Sequence, residues 1–396
     1  MADQKNWADD YDLFDAEYVA DPYRVWDELR GTCPVAHTER HGGSWLTTSY
    51  ADVTTIARDP ARFSSSNVSV IPPPDDTEGS LLPAGLPPIQ ADPPVHTWTR
   101  RLILPWFSND RVAGYEDYTR ELCRQLLDGF AETGRVDAAG EYAKQIPVRV
   151  TARILGIPEE MSDTFVEWVR GVLEFANDPE RRSQAQIDSV TYFLAEMDIR
   201  RNGDGTDLIS ELLRTRVGGE PVPDDFILGT VALILIAGLD TTWSALGSML
   251  WHLATHPDDT RRLVDQPELL PAAIEEMLRA YSPVTMARIV SEDTEIHGCS
   301  MKQGDRVILN FPAANRDPDA FPHPDEVIID REINRHVAFG AGIHRCAGSN
   351  LARMELRVAI EEWLSRIPTF NLERDREVTW AAGQVRGPRQ LPLVFS

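Results

Sequence analysis

The sequence predicts a mainly α fold with small β-sheets, and three observations carry that prediction. Apolar residues recur at helical spacing through residues 115–132 and 161–175. Residues 224–256 are apolar almost throughout, too long for a strand and enough for a helix of about 45 Å at ~1.5 Å per residue. Alternating runs, by contrast, are short, as in residues 44–48, so any sheets are small. No internal repeat and no Gly/Ser-rich linker divides the chain, so residues 1–396 are expected to form a single domain.

Composition narrows the function classes. The 396 residues are 42% hydrophobic and 26% charged, which excludes disordered and collagen-like chains. A net charge of -24 repels phosphate backbones and anionic lipid, so neither nucleic acid nor a membrane surface is an expected partner. Cys33, Cys123, Cys299 and Cys346 are widely spaced with no CxxC pair, which suits free thiols in a reducing cytoplasm.

Taken in order, residues 1–11 are polar and acidic without a basic and apolar leader, so no signal peptide or anchor is expected there. Residues 71–94 contain eight prolines, which deny helix interiors and sheet ladders. A long loop is expected, read either as a plain connection or, over residues 64–94, as a substrate-access region. Asp224 and Asp225 offer cap chemistry at the start of the long helix, and His256-Pro257 stops it. Its centre holds Asp240, Thr241 and Thr242, where hydrocarbon would penalise a charge, so it reads as a buried core helix. Gly238 weakens that helix locally.

The richest segment is FGAGIHRCAG at residues 339–348, followed by a helical pattern with Leu351, Met354 and Val358 on one face. It places Cys346 at the opening of a helix, where N–H groups and the dipole favour a thiolate and depress its pKa. The glycines allow close backbone approach to a flat partner. A dinucleotide fingerprint does not fit, because Arg345 stands where the third glycine belongs. A zinc site does not fit either, because His344 and Cys346 lack paired ligands.

This segment resembles the cysteine-ligand loop of the cytochrome P450 family, FGxGxHxCxG, at every specified position. The resemblance implies a triangular helical haem domain with a long central helix, haem b (iron protoporphyrin IX) as cofactor, and Cys346 as its iron ligand. Residues 339–364 are then the ligand loop and the helix after it. Ala237-Gly238-Leu239-Asp240-Thr241-Thr242 resembles the family's oxygen-binding stretch, implying that Asp240 relays protons and Thr241 hydrogen-bonds dioxygen. Glu276 and Arg279 match the structural ExxR pair. The usual third arginine is missing at Pro324-Asp325-Glu326-Val327, and Arg331 or Arg335 is expected to replace it.

His96 and Arg100 resemble the family's HxxxR element, and Arg288 its strand arginine. With His344 they are the expected clamp on the haem propionates, beside contacts from Phe339, Gly340, Ala237 and Gly238. Leu233, Ala237, Val284, Thr285 and Met286 are the expected substrate wall, small to medium and mostly apolar. The implied activity is a monooxygenase inserting one atom of O2 into a small apolar organic substrate, by hydroxylation or O-dealkylation. About 50 residues follow Cys346, so electrons are expected from a separate ferredoxin and its reductase, docking on Arg345, Arg353 and Arg357 unless these pair with Glu355 or Glu361. The molecule is expected to be a cytoplasmic monomer. A hydrogen-peroxide-using peroxygenase and a haem-binding sensor without turnover are the alternatives.

Overall fold

The computed structural model describes residues 5–32, 35–72, 81–175 and 178–396. Cys33 and residues 73–80 of the proline-rich loop lie outside them. Cys123, Cys299 and Cys346 are free thiols, as expected.

Fourteen α-helices are present among the described residues. The chain opens with α1 (Ala16–Ala20), α2 (Pro22–Thr32) and α3 (Tyr50–Arg58). There follow α4 (Val95–Ile103), α5 (Asn109–Phe130), α6 (Gln145–Leu155), α7 (Ser162–Leu173), α8 (Pro179–Arg200) and α9 (Leu208–Arg214). Side chains of Ser108, Asp178 and Asp207 accept the first free N–H groups of α5, α8 and α9. Gly156 ends α6 in the left-handed region. The expected helical runs 115–132 and 161–175 are α5 and α7.

The central helix α10 (Asp224–Thr255) is followed by α11 (Pro257–Asp265), α12 (Leu270–Ala280), α13 (Phe311–Ala314) and α14 (Ser349–Arg366). Neither Asp224 nor Asp225 is the cap residue of α10, although Asp225 Oδ1 accepts from the Phe226 N–H at 3.0 Å in its first turn. Pro223 occupies the cap position without a side-chain bond, and both carboxylates sit in the first turn, where they complement the helix dipole. This is the one helix among the described residues long and apolar enough to cross a membrane, and most of it is buried inside the protein. It packs against α6, α7, α8, α12 and α14, so nearly its whole circumference is apolar.

A five-stranded sheet runs in the order Val35–Thr38, Ser44–Thr47, Arg306–Leu309, Met286–Val290 and Phe63–Ser64. Its single parallel pairing sets Val307 beside Trp45. A second sheet joins Arg135–Asp137, Phe370–Leu372 and Pro392–Phe395. The C-terminal strands pack against α10, and the segment after α12 bridges to the C-terminal region through Val284 and Val385, which encloses a cavity there.

Candidate active site

Cys346 stands in the turn that leads into α14, two residues before its cap Gly348. It therefore precedes the helix rather than opening it. Its backbone N–H donates to the Phe339 carbonyl at 2.8 Å, closing the loop, and the Gly348 N–H points at its sulfur. Gly340 and Gly342 both have φ of 71°, which a side chain resists. A Cβ on Gly342 would lie 2.3 Å from the Ala57 carbonyl oxygen, so Gly342 sets the approach of the loop to the end of α3, while Gly340 and Gly348 line the cavity. Cys346 is exposed, but to the wall of an internal cavity and not to bulk water. Burial raises its thiol pKa, outweighing the Gly348 N–H and the charges of Arg100, Arg345 and Arg353. The expected depression is thus reversed: desolvation exceeds the helix-terminus effect.

Arg100, Arg288 and His344 line the same cavity as Cys346, and His96 stands against His344. His96 lies on α4 and its ring meets that of His344 at 4.4 Å. Arg100, one turn on, donates to the Arg345 carbonyl. Arg288, nearly fully buried, donates to its neighbour's carbonyl at 2.7 Å. Burial pushes Arg288 down to about 10. Burial together with Arg288, His96 and Arg100 pushes His344 down to about 3. The Nε2 atoms of His96 and His344 are buried without a hydrogen-bond partner among the described residues. Buried donors repelling one another demand an anionic ligand. Two carboxylates on a flat ring facing Cys346 meet that demand, so the residues present fit haem.

On α10, Thr241 faces the cavity and its hydroxyl donates to the Ala237 carbonyl at 2.9 Å. Asp240 points elsewhere. Its carboxyl is fully buried and Oδ1 accepts from Arg389 at 2.7 Å, while Oδ2 has no partner among the described residues. Burial raises its pKa to about 6 against the pull of Arg389. Arg389 also donates to Ser244 at 3.0 Å and to Glu174 at the end of α7. Gly238 does more than loosen the helix: a Cβ there would meet Thr151 Oγ1 at 2.7 Å, so it sets the approach of α10 to α6.

The cavity encloses about 300 Å3. Leu233, Ala237, Val284 and Met286 line it, as do Phe339 and Gly340. Thr285 does not. Successive residues of an extended segment face opposite ways, and Thr285 faces a small separate pocket beside Tyr18 and Pro312. The far wall comes from residues 68–71, 86–90 and 172–173. Glu355 of α14 also lines the cavity, and the sequence reading missed it as a site residue. It is buried, bonded by the Thr242 hydroxyl, and pushed up to about 8 by desolvation.

The family model that matches residues 148–379 is "Cytochrome P450". Vitamin D(3) 25-hydroxylase of Pseudonocardia autotrophica is 34% identical over 404 residues, covering 100% of this chain and 99% of that one. The chain belongs to the cytochrome P450 family. Steroid C26-monooxygenase of Mycolicibacterium smegmatis is 35% identical over 98% of this chain and 96% of its own length. The solved structure of a Bacillus megaterium cytochrome P450 in complex with testosterone superposes with a TM-score of 0.89 at 29% identity, covering 96% of this chain and 99% of that one. The expected mainly α cytochrome P450 fold is therefore correct. The protein is a cytochrome P450 monooxygenase, an oxidoreductase that binds haem b.

In this cytochrome P450 the ExxR pair is fully buried. Glu276 accepts from Arg279 twice at 2.8 Å, from Arg331 at 2.9 Å, from Asn334 at 3.1 Å and from the Ile328 N–H at 2.9 Å. The third arginine is thus Arg331, whereas Arg335 is exposed. The basic patch after Cys346 is largely neutralised. Arg353 pairs with Glu275 at 2.6 Å, and Arg357 with Glu116 at 2.6 Å and Glu361 at 3.0 Å. Pairing with Glu361 is as weighed from sequence; Glu355 takes no part in it.

Proposed function

We propose that this monooxygenase inserts one atom of dioxygen into a small, mostly apolar organic substrate, by hydroxylation or O-dealkylation, in the cytoplasm and as a monomer. The observation that carries the reading is the placement of an apolar wall, Leu233, Ala237, Val284 and Met286, in the same cavity as Cys346. Haem, held by Cys346 and clamped by His96, Arg100, Arg288 and His344, supplies the redox-active iron that activates dioxygen.

The chain's own residues supply position and protons. The Thr241 proton is committed to Ala237, so Oγ1 offers its lone pairs to a donor in the cavity. Glu355, neutral at pH 7 by its raised pKa, holds a proton at the cavity wall. Asp240, behind the helix, rises only to about 6 beside Arg389, so at pH 7 it is mostly ionised and its Oδ2, without a partner among the described residues, is open to accept a proton. Electrons come from a ferredoxin and its reductase. With Arg353 and Arg357 paired, the docking charge falls to exposed Arg345 and to Arg101, beside the Arg100 that bonds the Arg345 carbonyl.

The test is spectroscopic. The holoenzyme should give the thiolate signature in a reduced, carbon-monoxide difference spectrum, and Cys346→Ser should lose it. A panel of small apolar compounds should include some that shift the Soret band, with turnover dependent on ferredoxin. An unchanged spectrum in Cys346→Ser would sink the ligand assignment. Turnover that needs only hydrogen peroxide would replace the ferredoxin reading with the peroxygenase one.

A further inference from the structure

Three arginines line the cavity, Arg100, Arg182 and Arg288, and its only acid among the described residues is Glu355. The clamp described above accounts for two of the three. Arg182 belongs to a different neighbourhood. His344 responds to Arg288, His96 and Arg100, whereas Arg182 perturbs Arg306 and is absent from the clamp. It sits on the first turns of α8, where α8 meets α7 so closely that a Cβ on Gly171 would lie 2.5 Å from that of Ala185. Val172 and Leu173 of α7 share this end of the cavity with it, and so do residues 68–71. Arg306 stands behind that loop, donating to the Ser69 carbonyl and, at 3.3 Å, to Asn67.

Arg182 is 6% exposed, and its Nε and Nη1 are buried with no hydrogen-bond partner among the described residues. Other arginines, on α7, on α8 and near the C-terminus, are answered by carboxylates. Arg170 bonds Glu174 at 2.9 Å, Arg181 bonds Glu167 at 3.3 Å, and Arg389 bonds Asp240 at 2.7 Å. These ion pairs leave the buried Arg182 guanidinium without a carboxylate among the described residues. Desolvation alone lowers the Arg182 pKa, and burial with the Arg182 charge pulls Arg306 down to about 10. A buried charge without a partner is strongly unfavourable unless something else supplies the counter-charge.

We propose that Arg182 is a specificity-determining residue: it receives a carboxylate carried by the substrate, at the end of the cavity walled by Val172 and Leu173. The guanidinium fork matches a planar carboxylate in geometry and charge, and the apolar wall takes the rest of the molecule. This deepens the monooxygenase reading and rests on it.

The test compares saturated fatty acids from octanoic to hexadecanoic, and aryl-propanoic acids, with their methyl esters, on holoenzyme, by the Soret spin shift. At least one acid should bind about tenfold or more tightly than its ester. In Arg182→Gln that preference should collapse to near unity through weaker binding of the acid alone. Arg182→Lys should keep part of it. Arg306→Gln, outside the cavity wall, should lower it partially and serves if the first variant does not fold. The melting temperature of ligand-free Arg182→Met should rise, because an unanswered buried charge is removed. Equal binding of every acid and ester, or an acid preference untouched in Arg182→Gln, would overturn the proposal. If the wild-type carbon-monoxide spectrum lacks the thiolate signature, the haem reading fails; if that signature is present and the acid preference is missing, only this inference fails.

Discussion

Glu355 and Asp240 are both fully buried carboxyls, and their partners set how far each departs from an ordinary acid. Asp240 faces a guanidinium and rises to about 6, while Glu355, among the described residues, has a threonine hydroxyl as its partner and rises to about 8. Glu355 ordinarily ionises near 4.5. Below that pH both folded and unfolded chains hold its proton, so it favours neither. As the pH rises from 4.5 toward 8 only the folded state keeps the proton, and stability falls by about 5 kcal/mol at most. Glu355→Gln should flatten the decline of denaturant stability over that window; an unchanged slope would refute the assignment. The motif around Asp240 and Thr241 was legible in sequence, but their facing was not. Consecutive helical residues point ~100° apart, so only Thr241 of the two lines the cavity. Glu355 had a readable signal: it follows Leu351 by one helical turn on the face that looks into the cavity.

At the scale of elements, the buried ExxR pair joins α12 to the segment before the ligand loop. Arg279 donates to the carbonyls of Asn315, Pro324 and Glu326 at 2.7–2.9 Å, while Glu276 gathers Arg331 and Asn334. Glu276→Ala would leave two guanidinium groups facing an apolar void. The expected loss is about 3–5 kcal/mol, read by urea unfolding, with haem content falling in parallel. Glu276→Gln keeps the shape and should lose less. The helices themselves were plain in the sequence, since α5 and α7 carry apolar residues at helical spacing and α10 is a long run apolar almost throughout. The identity of the third arginine was not, because Arg331 and Arg335 differ only in which way an irregular segment turns them. The same limit applies to Thr285, whose position beside two cavity residues says nothing until the strand's facing is known.

For the whole molecule, the charge of -24 makes the folded state repel itself. Raising salt from ~10 to ~150 mM shortens the screening length to ~8 Å and should lift the melting temperature by about 1–3 °C. A fall in melting temperature over that range would show that specific ion pairs outweigh the net charge. Fold class was available from helical periodicity, the long apolar run and the cysteine-loop motif. Much of the cavity wall was legible too, since Leu233, Ala237, Val284 and Met286 line it and residues 68–71 and 88–90 fall within the expected 64–94 region; the meeting of that loop with residues 172–173 was not, because no local pattern connects them. The largest sheet has the same long reach: Trp45 pairs with Val307. On a ribosome adding ~5–20 residues per second, the earlier strand emerges tens of seconds before its parallel neighbour. For that interval the nascent N-terminal third is an open edge, so how much active enzyme a cell obtains depends on what shields that edge during translation.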